Sequence, residues 1–447
     1  MKIIPFYLIY GALFLLYIIN VYIQSSAIEF IISWSTLIIF ILSWRLASKL
    51  FKIMSLLCAL SGVLMNLSGG VPFYEIPQQF MNNIPMLIFL SLLPWMASAF
   101  SIGEYDRALK NMNNTKDGKL SGMYGKSLAT TYSLTVFINV SAIYIVQQIL
   151  IEKLKGIDEA VRNDYLIQVT LRTFALAAFW SPMEILFGIT IEATGVSFLS
   201  YLPWLLLCSF LVAIIEVFNS KRKFAEIHIP AEQVNKKELV QALVKLFFVL
   251  SAFFAVIITA NHYTTWNFIF TVAMVIFPFT LIWSLFMRRA VKFLKYGWEN
   301  WKNYNNGMQN FAVLFLSLAI FSQGFNQTSI PLFLQNILGH ISDYTLLIFL
   351  FIPAVYFAMG MIGVHPIATI AILLEVLNPL FGTINPLSIG IVLVVSAMAT
   401  TPSSPYGINT TLTVQSIHVS PYYVTKKNFS FSLLVAGMGI LIAMLLL

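Results

Sequence analysis

Charge is what this sequence has least of. Of 447 residues only 10% are charged, against about a quarter in soluble domains, while 59% are hydrophobic. That shortage excludes a water-soluble core. Cysteine is nearly absent as well: Cys58 and Cys208 both lie in apolar runs, so neither a disulfide framework nor a thiolate metal site is implied. No His-Glu-x-x-His, no Gly-x-Ser-x-Gly and no cluster of Asp and His occurs, and the polar loops are too short to hold a domain. The chain does not read as an enzyme. Its net charge of +8 sits beside apolar runs, which argues against nucleic acid as a partner. The first run is apolar for about 20 residues without a small-residue cleavage site, which predicts a retained first span rather than a signal peptide.

What the sequence does have is apolar runs of membrane length. Runs of the roughly 17–25 residues needed to cross a bilayer fall at 3–23, 28–44, 53–67, 84–101, 201–218, 241–260, 267–287 and 429–447. Basic residues mark every second loop: Arg45, Lys49 and Lys52; Arg107, Lys110, Lys116, Lys119 and Lys126; Lys221, Arg222, Lys223, Lys236 and Lys237; Arg288, Arg289, Lys292, Lys295 and Lys302. The alternate loops, 24–29, 66–83, 194–200, 261–266 and 338–343, hold no Lys or Arg. Cytoplasmic loops carry the basic excess, so the N-terminus is expected inside.

Two apolar segments, 127–151 and 344–380, fit poorly as single spans. If 127–151 crossed, Lys153, Lys155 and Arg162 would lie outside, against the pattern. Both segments are therefore expected to enter the membrane and turn back, the second near Gly363, as re-entrant hairpins opening to opposite sides. The expected fold is an all-α polytopic membrane protein with about eleven transmembrane helices and two hairpins. The C-terminus is expected outside, and the expected membrane is a bacterial-type inner (plasma) membrane.

Two further membrane-length segments, 165–193 and 387–419, are interrupted by proline. The first break reads Trp180-Ser181-Pro182-Met183-Glu184, and the second reads Thr400-Thr401-Pro402-Ser403-Ser404-Pro405-Tyr406-Gly407. Proline removes a backbone donor and clashes with the preceding turn, so each pair unwinds its helix. Unwound backbone survives at membrane depth only where it is buried in protein or lines a polar cavity. Paired breaks in two halves point to a transporter's binding site. A third stretch, 309–338, is interrupted at Phe321-Ser322-Gln323-Gly324-Phe325-Asn326-Gln327-Thr328-Ser329 and reads as a kink leaning on the second hairpin.

The halves run in the same order, hairpin tip, broken helix, closing span. Asn139 and Gly363 lie 224 residues apart, and Ser181 and Thr401 lie 220 apart. Because an extra first span (1–26) precedes them, the halves have opposite orientation, an inverted repeat of 27–220 and 241–447 joined by a cytoplasmic linker at 221–240. The arrangement resembles the ion transporter superfamily, which includes divalent-anion/sodium symporters, arsenite permeases and the membrane subunits of tripartite dicarboxylate transporters. Phe137-Ile138-Asn139-Val140-Ser141-Ala142-Ile143 resembles its first hairpin tip. Ser181-Pro182 with Gly195-Val196-Ser197-Phe198-Leu199 resembles its first broken helix, and Thr401-Pro402-Ser403-Ser404-Pro405-Tyr406-Gly407-Ile408-Asn409 its second. The Ser-Asn-Thr tips of the dicarboxylate branch are replaced here by Asn-Val-Ser and Val-His-Pro. The resemblance implies an elevator mechanism and a homodimer.

Half-helix N-termini favour anions, and unwound carbonyls with half-helix C-termini suit a cation such as Na⁺. Candidate substrate-binding residues are Asn139, Ser141, Ser181, Gly363, His365, Thr401, Ser403 and Ser404; candidate ion-coupling residues are Glu184, Thr400 and Asn409. Each has a plain alternative, since Ser and Thr also cap freed backbone groups and a buried amide or His also bridges helices. Among the intramembrane carboxylates Glu184 stands first, because it follows Pro182 at the break itself. Glu192 also lies in that segment. Glu216 is expected near Lys221 at the cytoplasmic face, Glu375 in the return arm of the second hairpin, and Arg172 in either a salt bridge or an anion contact. Trp180 suits a pocket wall. The reading is an ion-coupled secondary transporter of a small anionic organic solute, with Na⁺ or H⁺ as coupling ion and no other cofactor. The alternative is a Na⁺/H⁺-type antiporter of the same superfamily.

Overall fold

The computed structural model describes residues 5–103, 118–230, 236–333 and 344–447. The basic residues Arg107, Lys110 and Lys116, the loop 338–343 and the end of the stretch 309–338 lie outside them. Among the described residues the fold is helical throughout, and the only β contact is an isolated bridge between Lys119 and His228. A helix satisfies its backbone groups internally, which is what an apolar solvent demands.

In chain order the first half contains α1 (Phe6–Ile23), α2 (Ser26–Leu46), α3 (Lys49–Ser68), α4 (Ile84–Ile102), α5 (Leu120–Ile138), α6 (Ser141–Lys153), α7 (Glu159–Ile167), α8 (Thr173–Ala178), α9 (Ile185–Thr194) and α10 (Phe198–Lys223). The second half contains α11 (Lys236–Tyr263), α12 (Phe268–Phe286), α13 (Ala290–Asn306), α14 (Gln309–Asn326), α15 (Thr345–Met361), α16 (Pro366–Leu377), α17 (Pro386–Thr400), α18 (Ile408–Ile417) and α19 (Pro421–Met444). Among the described residues eight helices are long and apolar enough to cross a membrane, or nine if the bent pair α13–α14 counts as one. The expected eleven is not reached by length because both proline-broken segments are divided into shorter pieces. The chain is a polytopic helical membrane protein.

Each segment expected to form a hairpin is a pair of helices joined at a turn, and helix is interrupted at both proline pairs. Helices α5 and α6 meet at a turn on Asn139, whose φ of 47° lies in the region non-glycine residues avoid. Helices α15 and α16 meet at Gly363, where φ is +89° and glycine is the residue that tolerates it. Helix leaves the chain between Ala178 and Ile185, and again between Thr400 and Ile408. Upstream of the first break, Gln168–Arg172 forms a π-turn between α7 and α8. Such turns add a residue to the spiral and recur at functional sites.

One expectation needs correction. The basic stretch from Arg288 to Lys302 is not a loop. It forms most of α13, which meets α14 at a bend of 60°. Its lysines and aromatics alternate with helical period, a pattern that net charge does not carry.

The chain divides into two compact units that cut across the sequence halves. The first comprises Met1–Ala99, Thr264–His340 and Ala371–Leu380; the second comprises Phe100–Tyr263, Ile341–Ile370 and Phe381–Leu447. Within the first unit α3 and α14 pack most closely. A Cβ on Gly62 would stand 2.7 Å from the backbone of Ile320, so both backbones approach to a distance only glycine allows. Asn66 closes that seam by donating to the Ile320 carbonyl at 3.3 Å. In the same unit Glu375 accepts hydrogen bonds from Ser322 and Asn326, which joins the interrupted end of α14 to the return arm of the second hairpin.

The second unit holds both hairpin tips and both breaks. Helix α9 packs against α17, so the half-helix following one break lies on the half-helix preceding the other. Helix α6, the return arm of the first hairpin, packs against α18.

Candidate functional site

The first break and the first hairpin tip are tied to each other. Pro182 cannot donate, and the chain turns through Ser181, whose hydroxyl donates to the Val136 carbonyl at 3.4 Å and accepts from Met183 N–H. Asn139 donates through Nδ2 to the Met183 carbonyl and to Glu184 Oε2, both at 3.3 Å. Glu184 is buried and stands as the N-cap of α9, its Oε1 accepting from Leu186 N–H at 3.5 Å. No Lys or Arg pairs with it among the described residues. A buried carboxylate held by an amide and a helix terminus is a strong attractor for a cation. Asn139 carries backbone strain as well, which is commonest where a side chain must be aimed at a ligand.

The second break is tied to the second tip in the same manner. Ser404 donates to the Gly360 carbonyl at 2.8 Å, and Gly363 lies against Tyr406, which a Cβ would approach to 3.3 Å. Three hydroxyls turn back on their own turn: Thr400 donates to Ala397 O, Thr401 to Met398 O and Ser403 to Thr400 O. Of these carbonyls only that of Met398 is the one from which Pro402 withholds its helical donor, and the hydroxyl lone pairs stay available to accept. Thr410 donates to Ser404 O at 2.7 Å and fixes the start of α18.

The two breaks differ at the N-termini of the half-helices that follow them. Helix α9 starts on the carboxylate cap of Glu184, which answers its free N–H groups with negative charge. Helix α18 starts on Gly407, in extended conformation and with no side-chain cap. Its first N–H groups, with Asn409 in the first turn, are left for an acceptor from elsewhere. The Asn409 side chain is nearly buried and has no hydrogen-bond partner among the described residues.

Other sequence candidates fall outside these clusters. Ser141 is exposed, two residues beyond Asn139 at the start of α6. The Nδ1 atom of His365 accepts from Ile367 N–H at 3.2 Å, at the start of α16. Trp180 is buried and donates to the Tyr132 hydroxyl at 2.6 Å. Glu192 is exposed. Glu216 does not pair with Lys221; it forms a buried salt bridge at 2.8 Å with Arg172, the last residue of the π-turn. Arg172 also donates to Asn428 Oδ1 at 3.0 Å and to the Lys427 carbonyl.

Two residues outside the sequence candidates prove central. Gln147, fully buried in α6, donates to Thr170 at 3.0 Å and to Thr413 at 2.9 Å, joining the first hairpin to both broken segments. Asn428 of α19 donates to the Pro402 carbonyl at 2.9 Å and so links the second break to Arg172. A lone Gln or Asn in an apolar helix is the signal that marks such residues, since a buried amide must find partners. Among the described residues no three His, Cys, Asp or Glu side chains gather into a metal shell. A Na⁺ shell of carbonyls, hydroxyls and one carboxylate requires no such cluster.

No protein-family model matches the chain, and no curated protein matches it. The functional reading rests on the residues themselves.

Proposed function

We propose that this chain is an ion-coupled secondary transporter that carries a small anionic solute by alternating access. The observation that carries the proposal is the unlike chemistry of the two half-helix starts. Glu184, with Asn139 and the Met183 carbonyl, offers negative charge and oxygen ligands to a cation. The bare N-terminus of α18, flanked by Ser403, Ser404 and Asn409, offers donors and a positive dipole end to an anion. One cation and one anion bound in the same unit is the stoichiometric minimum of a symporter. The cation lowers the cost of holding the anion in a low-dielectric site, and that mutual help is the coupling.

In this reading the hairpins and broken helices form the moving part, and the halves are an inverted repeat working as an elevator within a homodimer. The membrane is a bacterial-type plasma membrane with the N-terminus inside and the C-terminus outside, and the chain has no enzymatic role. Uptake of radiolabelled small carboxylates into proteoliposomes, with and without a Na⁺ or H⁺ gradient, tests it. Gradient-dependent accumulation supports it, and no gradient-dependent flux of any anion overturns it.

A second reading, exchange of Na⁺ for H⁺, is favoured by one observation: Glu184 is buried without a cationic partner among the described residues. It requires only the first break. Antiport in vesicles without any added anion, lost in Glu184→Gln, would select it over symport.

A further inference from the structure

Helix α13 takes no part in the site, and its side chains are arranged for a different purpose. A helix turns about 100° per residue, so its surface divides into sectors. Phe293, Gly297, Trp301 and Asn305 form the inner sector. Phe293 stacks obliquely on Trp95 of α4, and Gly297 lies so near the same ring that a Cβ would overlap it. Trp301 donates to Ser91 at 3.1 Å, and Asn300 donates to Ser98 at 2.9 Å. These contacts fix the helix about its own axis.

Beside that sector lies a second apolar stripe that stays largely exposed, with Trp298 meeting the Tyr7 ring edge-on and stacking on Trp301. Val291 is 84% exposed, Trp298 47% and Leu294 42%. The stripe is continuous with the exposed end of α12, a helix long and apolar enough to cross a membrane, where Ile282, Leu285 and Phe286 also face outward. The remaining sector carries Lys292, Lys295, Glu299 and Lys302, with Arg288 and Arg289 just before the helix. Arg288, Arg289, Lys292 and Lys295 lie toward its N-terminal end, where the dipole disfavours positive charge and the first turn has no acidic residue, while Lys302 lies over the Tyr7 ring at 5.7 Å. The single carboxylate, Glu299, approaches Lys302 only at 3.9 Å.

An apolar stripe bordered by lysines and an aromatic, on a helix bent by 60° from a membrane-length neighbour, is the pattern of a helix lying in the headgroup plane. We propose that α13 docks on anionic phospholipid headgroups, with Val291, Leu294 and Trp298 in the acyl boundary and Lys292, Lys295 and Lys302 on the phosphates. The inference rests on membrane embedding and not on the transport reading.

Single spin labels test it in the full chain, carrying Cys58→Ala and Cys208→Ala, in liposomes of phosphatidylcholine with phosphatidylglycerol. Labels from Val291→Cys and Leu294→Cys should collide with oxygen more than with a water-soluble nickel chelate, and labels from Lys295→Cys and Asn303→Cys should do the reverse. Separately, Lys292→Gln, Lys295→Gln and Lys302→Gln together should lower the phosphatidylglycerol retained through purification, by roughly fivefold per charge removed, with thermal stability in detergent unchanged. Equal nickel exposure at all four positions overturns the proposal. So does shielding of 291 and 294 from both reagents, which would mean a protein partner, and so does undiminished lipid retention in the triple variant.

Discussion

The Asn139 amide and the Glu184 carboxylate, 45 positions apart in sequence, stand 3.3 Å from each other. That contact joins a hairpin tip to an unwound helix. It gives the buried carboxylate a donor without giving it a neutralising charge.

Glu184→Gln keeps the shape of the first break and removes its charge. A charge-assisted contact is worth about 1.5–3 kcal/mol, so cation affinity should fall by roughly 10- to 150-fold. The measurement is the Na⁺ or H⁺ dependence of uptake in proteoliposomes, with a melting curve as control. Unaltered ion dependence in a folded variant would remove Glu184 from the coupling site.

Gly407→Asp places a carboxylate where the N-terminus of α18 is bare. The backbone there is extended, and a Cβ would meet Ser404 at ordinary contact distance, so the substitution fits. As an N-cap it should stabilise the helix by about 1 kcal/mol. It should also repel a bound anion, lowering its affinity tenfold or more while the melting temperature holds or rises. Anion binding measured by calorimetry at wild-type strength would refute the assignment of that terminus.

The Arg172–Glu216 pair is buried, with Arg172 also bound to Asn428. Glu216→Ala leaves a guanidinium uncompensated and should cost about 3–5 kcal/mol, seen as a lower midpoint of thermal unfolding. Replacing both partners with apolar residues, Arg172→Met with Glu216→Leu, should cost less than the single change. A double variant worse than Glu216→Ala would mean that the pair stabilises beyond its own neutrality.

At the α3–α14 seam, Gly62→Leu puts side-chain atoms into the Ile320 backbone, which cannot yield as a flexible side chain would. Overpacking of this kind costs about 1–3 kcal/mol or more. The expected readout is a fall in folded yield by size-exclusion chromatography, with Gly62→Ala milder. A Leu variant that folds and melts like the unsubstituted chain would show that the seam adapts.

Much of the fold was legible in the residues. Apolar length named the long helices, and Pro182 and Pro402 located both breaks, because proline's missing donor acts locally. Asn139 and Gly363 marked the turns between the paired helices, where the backbone takes positive φ. The contacts of Glu375 with Ser322 and Asn326 also match the expected lean of the interrupted stretch on the second hairpin. Helix α13 is the exception, because a run of basic residues reads as a cytoplasmic loop by charge while its aromatics recur at helical spacing.

Sequence alone decided that this chain lives in a bilayer and where its helices must stop, since hydrophobicity and backbone chemistry are properties of neighbours along the chain. Tertiary structure decided which stops face which partners. Glu184 beside Asn139, Gln147 between Thr170 and Thr413, and Arg172 on Glu216 rather than Glu216 near Lys221 all depend on how helices pack. No local pattern encodes such pairings, because a buried polar group accepts any partner that the fold brings within reach.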